Sequence, residues 1–354
     1  MNSQANEPDS EIPRPTDPLS RNPLSACLSR RQLLKASVIG VGGLAVAAGG
    51  LTLMQRLVAA PSGVGRWHQV TPKTSPSPRA SAAMARDAAR RVVVLFGGTQ
   101  TDASTWIWDD RIWTRQSPPL SPPTRSGAGF AYHPPTKTVV LFGGDSVTGF
   151  LKDTWLWNGH TWAAASGTAG PSARTGAIMA FDPTTGNLIL FGGYSDQSLN
   201  DTWQWDGKAW RALRPASSPP PLGGAGIAYS ATLGKLILFG GSLHRTAGSQ
   251  ETWAWDGRTW ARVSLGSAPP ARYGAAMAGD SDGRVILLFG GVAEGLQLGD
   301  TWTLTSTWSK DIGAAPPPRA AASLAPSASS NSMLLFGGGS ASGLLGDTWE
   351  WGPY

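Results

Sequence analysis

The chain has 354 residues, only 15% of them charged, and it is rich in Gly (45), Pro (28) and Trp (17). So little charge beside so many turn-forming and aromatic residues favours many short strands over helices. The formal charge is +6, but residues 67–354 hold 22 basic and 19 acidic side chains, too small an excess to attract a polyanion, and we expect no nucleic-acid partner.

The first 60 residues are predicted to be a leader. Residues 1–28 are polar and rich in Pro and Ser, and we expect them to be disordered. Residues 29–35 read Ser-Arg-Arg-Gln-Leu-Leu-Lys, and residues 36–54 follow without a charge and with five glycines. Segment 29–60 resembles a twin-arginine (Tat) signal with Leu33 in the phenylalanine position, which implies export of a folded protein. The alternative is an ordinary signal anchor, and residues 36–54, if uncut, are long enough to anchor the chain in a membrane.

A repeat of 46 to 50 residues fills the rest of the chain. Each copy has an apolar run that ends in Leu-Phe-Gly-Gly, and in most copies Thr-Trp-x-Trp follows it. An Asn-Gly or Asp-Gly turn often comes next, and a further Trp follows that turn. These patterns predict a buried strand, a hairpin and an outer strand, after a small-residue strand that opens the copy. Each copy is therefore expected to form four antiparallel strands, A to D. The motif phenylalanines are Phe96, Phe142, Phe191, Phe239, Phe289 and Phe336.

The last copy ends at Trp351 without a strand D. Residues 66–70, which contain Trp67, have the pattern of a D strand and are predicted to complete that copy and close a ring, which removes exposed sheet edges. With Trp67, all 17 tryptophans have a repeat position, so we interpret them as packing between units and not as stacking platforms.

The repeat resembles the kelch motif. The glycine pair, the aromatic hairpin, the D-strand Trp and the Pro-x-x-Arg-x-Gly that opens strand A, here 171–176, carry the resemblance over residues 66–354. It implies an all-β fold, a six-bladed kelch-type β-propeller in residues 61–354. The predicted blades are approximately 79–116, 125–165, 174–213, 223–263, 272–309 and 319–351 plus 66–70.

Two polar positions recur where strand A and strand C begin, which lie at the same end of a blade. An arginine occupies the first in five blades and an acid the second in five, with Leu222 and Ser104 as the exceptions. The pattern predicts Arg–acid pairs that tie strands together, and the alternative is a polar ring that binds an anionic or hydroxylated ligand. The residues are Arg79, Arg125, Arg174, Arg272 and Arg319 with Asp153, Asp201, Glu251, Asp300 and Asp347.

Blade 4 is the predicted place for a specific site. Its B–C loop, from Ser242 to Gln250, is the longest and carries His244 and Arg245, with Glu251 beside it. The candidate ligand-binding residues are therefore His244, Arg245, Glu251, Arg272 and Tyr273, together with the arginines of the other blades.

Catalytic signals are weak. The histidines His68, His133, His160 and His244 are assigned to both faces of the ring, so no metal site is expected. Some kelch propellers are copper oxidases similar to galactose oxidase, which need a cysteine-linked tyrosine, but the only cysteine, Cys27, lies in the leader. We predict no catalytic residue and no cofactor.

Three functions fit these observations. The first is an exported binding module, secreted, periplasmic or membrane-anchored, that engages a protein or a glycan through its B–C and D–A loops. The second is a carbohydrate-active enzyme resembling sugar epimerases, which would use arginines and acids at the channel mouth. The third is a structural partner in an envelope assembly.

Overall fold

The computed structural model describes residues 65–352, apart from residues 100, 168, 244–246 and 329–331. All regular secondary structure in these ranges is β-strand. The predicted disordered region 1–28 and the predicted signal 29–60 lie outside the described residues. The described part of the chain holds no helix with the length and apolar character needed to cross a membrane.

Six antiparallel sheets follow one another along the chain, and each keeps the strand order A-B-C-D. Alternating apolar residues, tight Asn-Gly or Asp-Gly turns and paired glycines explain why short strands form here. Blade 1 contains β2 (Ala83–Asp87), β3 (Val92–Phe96), β4 (Thr105–Trp108) and β5 (Trp113–Gln116). Blade 2 contains β6 (Gly129–His133), β7 (Thr138–Ser146), β8 (Gly149–Trp157) and β9 (Trp162–Ala164). Blade 3 contains β10 (Ile178–Asp182), β11 (Asn187–Tyr194), β12 (Ser198–Trp205) and β13 (Trp210–Leu213).

The later blades repeat this plan, with short extra strands in two B–C loops. Blade 4 contains β14 (Gly223–Ser230), β15 (Lys235–Leu243), β16 (Ala247–Gly248), β17 (Thr252–Trp255) and β18 (Trp260–Val263). Blade 5 contains β19 (Ala276–Gly279), β20 (Ile286–Phe289), β21 (Val292–Ala293), β22 (Leu296–Gln297), β23 (Thr301–Leu304) and β24 (Trp308–Asp311). Blade 6 contains β25 (Ser323–Pro326), β26 (Met333–Ser340), β27 (Gly343–Gly352) and β1 (Arg66–Val70).

The six A strands stand side by side around a central channel. Each contacts the A strand of the next blade, and β2 of blade 1 contacts β25 of blade 6, so the ring is closed. Because neighbouring strands are antiparallel, the B–C and D–A loops share one face of the ring, named here the loop face. The A–B and C–D turns share the opposite face, named here the turn face. The predicted all-β six-bladed propeller is confirmed.

The first strand closes the ring as expected. Strand β1 pairs antiparallel with β27, and Trp67 stands opposite Trp351. This pairing repeats the one between Trp157 and Trp162 in blade 2. The N-terminal strand is therefore the D strand of blade 6.

The D-strand tryptophans join each blade to the one before it. Each indole packs on the motif phenylalanine of the preceding blade, with ring centroids 5.2–5.4 Å apart. Each Nε1 also donates a hydrogen bond to a C-strand threonine of that blade, so the tryptophans are packing residues. The donor–acceptor pairs are Trp113–Thr348, Trp162–Thr105, Trp210–Thr154, Trp260–Thr202, Trp308–Thr252 and Trp67–Thr301.

The glycine pairs of the Leu-Phe-Gly-Gly motif join each blade to the one after it. Gly143 has a φ of 63°, and a Cβ there would lie 2.7 Å from the carbonyl oxygen of Arg174 in the next blade, so a side chain would collide with it. The following residue, Gly144, donates its N–H to that same carbonyl at 2.8 Å. All six junctions have this bond, and at one of them the acceptor is Leu222. Blade 4 keeps the junction because only the backbone is needed.

Candidate functional site

The arginine that opens strand A is an internal clamp, and Arg174 shows it most completely. Its Nε donates to the carbonyl of Ser172 at 3.0 Å, and Nη1 donates to the carbonyl of Gly192 at 3.0 Å. Both Nη atoms also bind Asp201, at 2.6 and 2.8 Å. Nη2 also donates to the Ser172 hydroxyl at 2.9 Å. All five N–H groups of this guanidinium therefore have protein acceptors.

The same clamp occurs in five blades, and the five arginine side chains are only 0–1% exposed. Each arginine is buried and gives four or five N–H hydrogen bonds to protein acceptors, so the geometry favours strand ties over a polar ring that is open to a ligand at the channel mouth. The ion pairs are Arg79–Asp102 (2.8 Å), Arg125–Asp153 (2.7 Å), Arg174–Asp201 (2.6 Å), Arg272–Asp300 (2.6 Å) and Arg319–Asp347 (2.5 Å).

Blade 1 uses a different acid from the one its repeat position suggests. The carboxylate that pairs with Arg79 comes from Asp102 in the B–C loop, two residues before Ser104. Ser104 instead accepts a hydrogen bond from the indole of Trp106 at 2.8 Å. Strict alignment of the repeats misses Asp102, because the loop and not the strand supplies the charge.

Blade 4 lacks the clamp. Leu222 occupies the arginine position and is buried. The carboxylate of Glu251 instead forms an ion pair with Arg262 of strand D, at 3.2 Å. It also accepts a hydrogen bond from the indole of Trp253, at 2.9 Å. This pair lies near the surface, since the Arg262 side chain is 66% exposed. Arg262 was not among the predicted site residues.

The clamps shift the ionisation of their acids. Burial alone would raise the pKa of Asp201, but the hydrogen bonds and charge of Arg174, with the Trp203 indole, outweigh it and hold that pKa below its usual range. The pKa values of Asp153, Asp300 and Asp347 are lowered in the same way by their own arginine and tryptophan partners. These acids therefore stay ionised in the folded protein at pH values where free aspartates begin to bind protons.

Acid should consequently weaken the fold. Below the usual aspartate pKa of about 3.9, the unfolded chain binds more protons than the folded one, so the free energy of unfolding falls as pH drops toward the lower folded pKa values. Urea titrations between pH 5 and pH 2 should show a decline that is steepest below about pH 4. Asp347→Ala should make the decline shallower. A free energy of unfolding that stays flat or rises in acid would contradict the clamp.

A groove lies beside the Glu251–Arg262 pair on the loop face. It encloses about 510 Å³ and is lined by residues 250–252, 262–266 and 268. Of the other residues predicted for this region, His244 and Arg245 lie outside the described residues. Tyr273 is half-buried, and its backbone is bonded to Val292. The structure thus brings Glu251 and Arg262 together at blade 4, whereas Arg272 lies inside its own clamp.

Exposed apolar side chains also concentrate on the loop face. Among the described residues, seven large apolar side chains are exposed, and six of them lie in B–C hairpins or D–A loops. The exception, Ile112, lies in a C–D turn on the turn face. The B–C hairpins of blades 4 and 5 contact each other through β16 and β21. The six are Leu120, Val147, Leu243, Leu296, Ile312 and Leu344.

The described histidines are apart from one another. His133 is buried and contacts Thr136 and the carbonyl of Gly186, while His68 lies 3.5 Å from Glu350 on the outer strands. His160 is exposed in a C–D turn. Within the described ranges, no three His, Cys, Asp or Glu side chains are grouped so as to hold a metal ion.

Comparison with known proteins agrees with this fold. The family model of the KLHDC2/KLHL20/DRC7 kelch-repeats domain matches residues 35–241, more than half of the chain. The solved structure of YjhT is similar, with a TM-score of 0.62 and 18% sequence identity over 78% of this chain and 96% of that one. At that identity the likeness concerns the fold alone. No curated protein matches this sequence.

Proposed function

The chain belongs to the kelch-repeat family, and we propose that it is an exported binding module whose loop face engages a protein or a glycan. A kelch propeller is in general a rigid scaffold for binding. The observation that carries the proposal is the concentration of exposed apolar side chains on one face of the ring. Exposed apolar surface of this kind can serve as an interaction site, and loops held by a rigid scaffold commonly provide binding residues.

The tips of the B–C hairpins supply the apolar part of this surface. Val147 is 69% exposed, Leu296 is 66% exposed and Leu344 is 52% exposed, although each stands on a well-paired hairpin. Fixed hairpins lose little conformational freedom when a partner binds, which favours affinity. These residues are therefore suited to contact a protein.

The groove at blade 4 supplies the polar part. The Glu251–Arg262 pair offers both acceptors and donors at the surface, and its arginine is not enclosed by the fold. Hydroxyl groups of a sugar, or polar groups of a protein, can be recognised by such a pair. Blade 4 is the blade in which this acid is free of a strand-A clamp.

Binding should fail when these features are removed. The full-length chain would be applied to arrays of glycans and of secreted and envelope proteins. Leu296→Ser with Leu344→Ser should weaken protein binding about tenfold or more, because central apolar contacts dominate interfaces. Glu251→Ala with Arg262→Ala should weaken glycan binding similarly.

Ile112→Ser is the matched control, since Ile112 is exposed on the turn face. If it weakens binding as much as the loop-face variants do, or if those variants bind normally, the loop face is not the binding surface. Turnover of any sugar on the array would favour the alternative, an epimerase-like enzyme.

Export is supported by residues 29–35 and the uncharged segment 36–54. Replacing Arg30 and Arg31 with lysine keeps the charge but removes the arginine pair, so the protein should accumulate in the cytoplasm. Cell fractionation measures this, with Arg21→Lys as the control. Equal export of the double-lysine variant would exclude the twin-arginine route. A carbonate wash of membranes would then distinguish an anchored chain from a released one.

A further inference from the structure

A second cavity opens on the turn face, opposite the surface discussed above. It occupies the end of the central channel and encloses about 360 Å³. All six A strands line it. Ligand sites typically have volumes of about 300–1,000 Å³ with mostly apolar walls and a few polar groups, and this cavity meets that description.

The walls are built by one repeated position. In each blade a large apolar residue stands opposite the leucine of the Leu-Phe-Gly-Gly motif, and an alanine follows it. The small alanines leave room near the channel axis that larger residues would fill. The large residues are Met84, Phe130, Met179, Ile227, Met277 and Leu324.

Among the described residues that line the cavity, the one cation is Arg86 of strand β2, at the mouth. Its Nη2 donates to the carbonyl of Ala328 at 3.1 Å. Its Nε is buried, and among the described residues this atom has no acceptor and the guanidinium has no carboxylate within ion-pair distance. The five clamped arginines contrast with it, since each makes four or five hydrogen bonds. A buried donor without a partner is unfavourable, so Arg86 keeps hydrogen-bonding capacity that the described residues do not satisfy.

Aromatic rings and two acids complete the mouth. Tyr132, Phe181 and Tyr229 occupy the position of Arg86 in the next three blades, and all three are half-buried. Asp280 and Asp282 lie in the A–B turn of blade 5, where the Asp280 carboxylate accepts the N–H of Arg284 at 2.7 Å. The acids disfavour a negative group near blade 5. An anion would therefore be directed to Arg86 at blade 1.

We propose that this cavity binds a small molecule with an aromatic or branched aliphatic body and a single carboxylate. The apolar body fills the channel end against the methionines, Phe130, Ile227 and Leu324. The carboxylate accepts hydrogen bonds from Arg86, whose guanidinium provides the charge-assisted contact. The aromatic rings cover the remaining side of the mouth.

Binding can be measured with matched pairs of probes. The full-length chain would be titrated by calorimetry with 2-naphthylacetate and 4-phenylbutanoate, and with their primary amides at equal ionic strength. The carboxylates should bind about tenfold or more tightly than the amides. Arg86→Gln should remove this preference and leave the affinity for the amides unchanged. Arg115→Gln, at an exposed arginine of strand β5, should keep it.

The place of binding can be read without any variant. The chain has six methionines, of which Met84, Met179 and Met277 line the cavity, whereas Met333 is buried in strand β26. Carbon-13 labelled methionine methyl groups should show shifts at the three cavity residues and none at Met333. Absence of binding, equal affinity for acids and amides, a preference that survives Arg86→Gln, or unchanged cavity methionine signals would each overturn the proposal.

Discussion

Trp67→Ala is expected to lower the free energy of unfolding by about 3–5 kcal/mol, the range measured when a buried tryptophan or phenylalanine is truncated. The indole is only 8% exposed, packs on Phe289 at 5.3 Å and donates to Thr301 at 2.9 Å. Its loss removes the contacts that hold blade 6 to blade 5. Urea unfolding at neutral pH measures the change, and the melting temperature should fall by roughly 6–20 °C.

Gln69→Ala is the control, because Gln69 lies on the same strand and is exposed. Trp113→Ala removes the equivalent tryptophan of blade 1 and should cost a similar amount. If Trp67→Ala is as mild as Gln69→Ala, the first strand does not close the ring. Deletion of residues 62–72, which removes the strand itself, should destabilise the protein further, and an unchanged melting temperature would refute closure.

Asp300→Ala should cost about 3–5 kcal/mol, because it leaves the charge of Arg272 buried without its counter-ion. The Arg272 side chain is fully buried, and both Nη atoms bind Asp300, at 2.6 and 2.8 Å. Glu251→Ala is the matched control. Both substitutions remove an acid that accepts a hydrogen bond from a tryptophan indole, since Trp302 donates to Asp300 and Trp253 donates to Glu251. Blade 4, however, has no buried arginine that needs this acid as a counter-ion. Glu251→Ala should therefore cost about 1 kcal/mol or less.

A double variant separates the charge from the fold. Arg272→Leu combined with Asp300→Ala removes both charges and places at the start of strand A the residue type that blade 4 has there, where Leu222 is buried. It should recover most of the stability lost in Asp300→Ala, since apolar replacement of a whole buried pair is often neutral. Chemical denaturation of the three variants measures the comparison. Equal losses in Asp300→Ala and Glu251→Ala would show that the clamps contribute little.

The ring was predictable from sequence because its determinants repeat at fixed distances. The end of the apolar run needs a positive φ and a close approach to the next blade, so glycine occurs there in every copy. The D-strand Trp contacts a Phe and a Thr of the preceding blade, so these residues also recur in every copy. Trp67 was assigned by this regularity alone. The strand ties were predictable for the same reason, as in Arg174 and Asp201.

The parts that break the repeat were harder to infer. Asp102 pairs with Arg79 from a loop whose path depends on tertiary contacts, so its position in sequence does not reveal its partner. Arg262 pairs with Glu251 because Leu222 supplies no charge for that acid, and these three residues are far apart in the sequence. The cavity on the turn face has a visible signal, a large apolar residue followed by alanine in six copies. Whether those side chains meet across the axis depends on the radius of the ring, which no single repeat encodes.

The pairing of Trp67 with Trp351 has one more consequence. In blade 2, Trp157 and Trp162 are joined by a four-residue turn, residues 158–161, whereas in blade 6 the matching tryptophans belong to opposite ends of the described chain. The chain is thus interrupted at a C–D turn of a ring whose six junctions share the same backbone and indole bonds. A circular permutant that joins residues 65 and 352 by a short turn, and opens at Asn158-Gly159 instead, would leave every junction intact. The order of the blades along the chain is therefore a matter of connectivity, and the ring itself has no first blade.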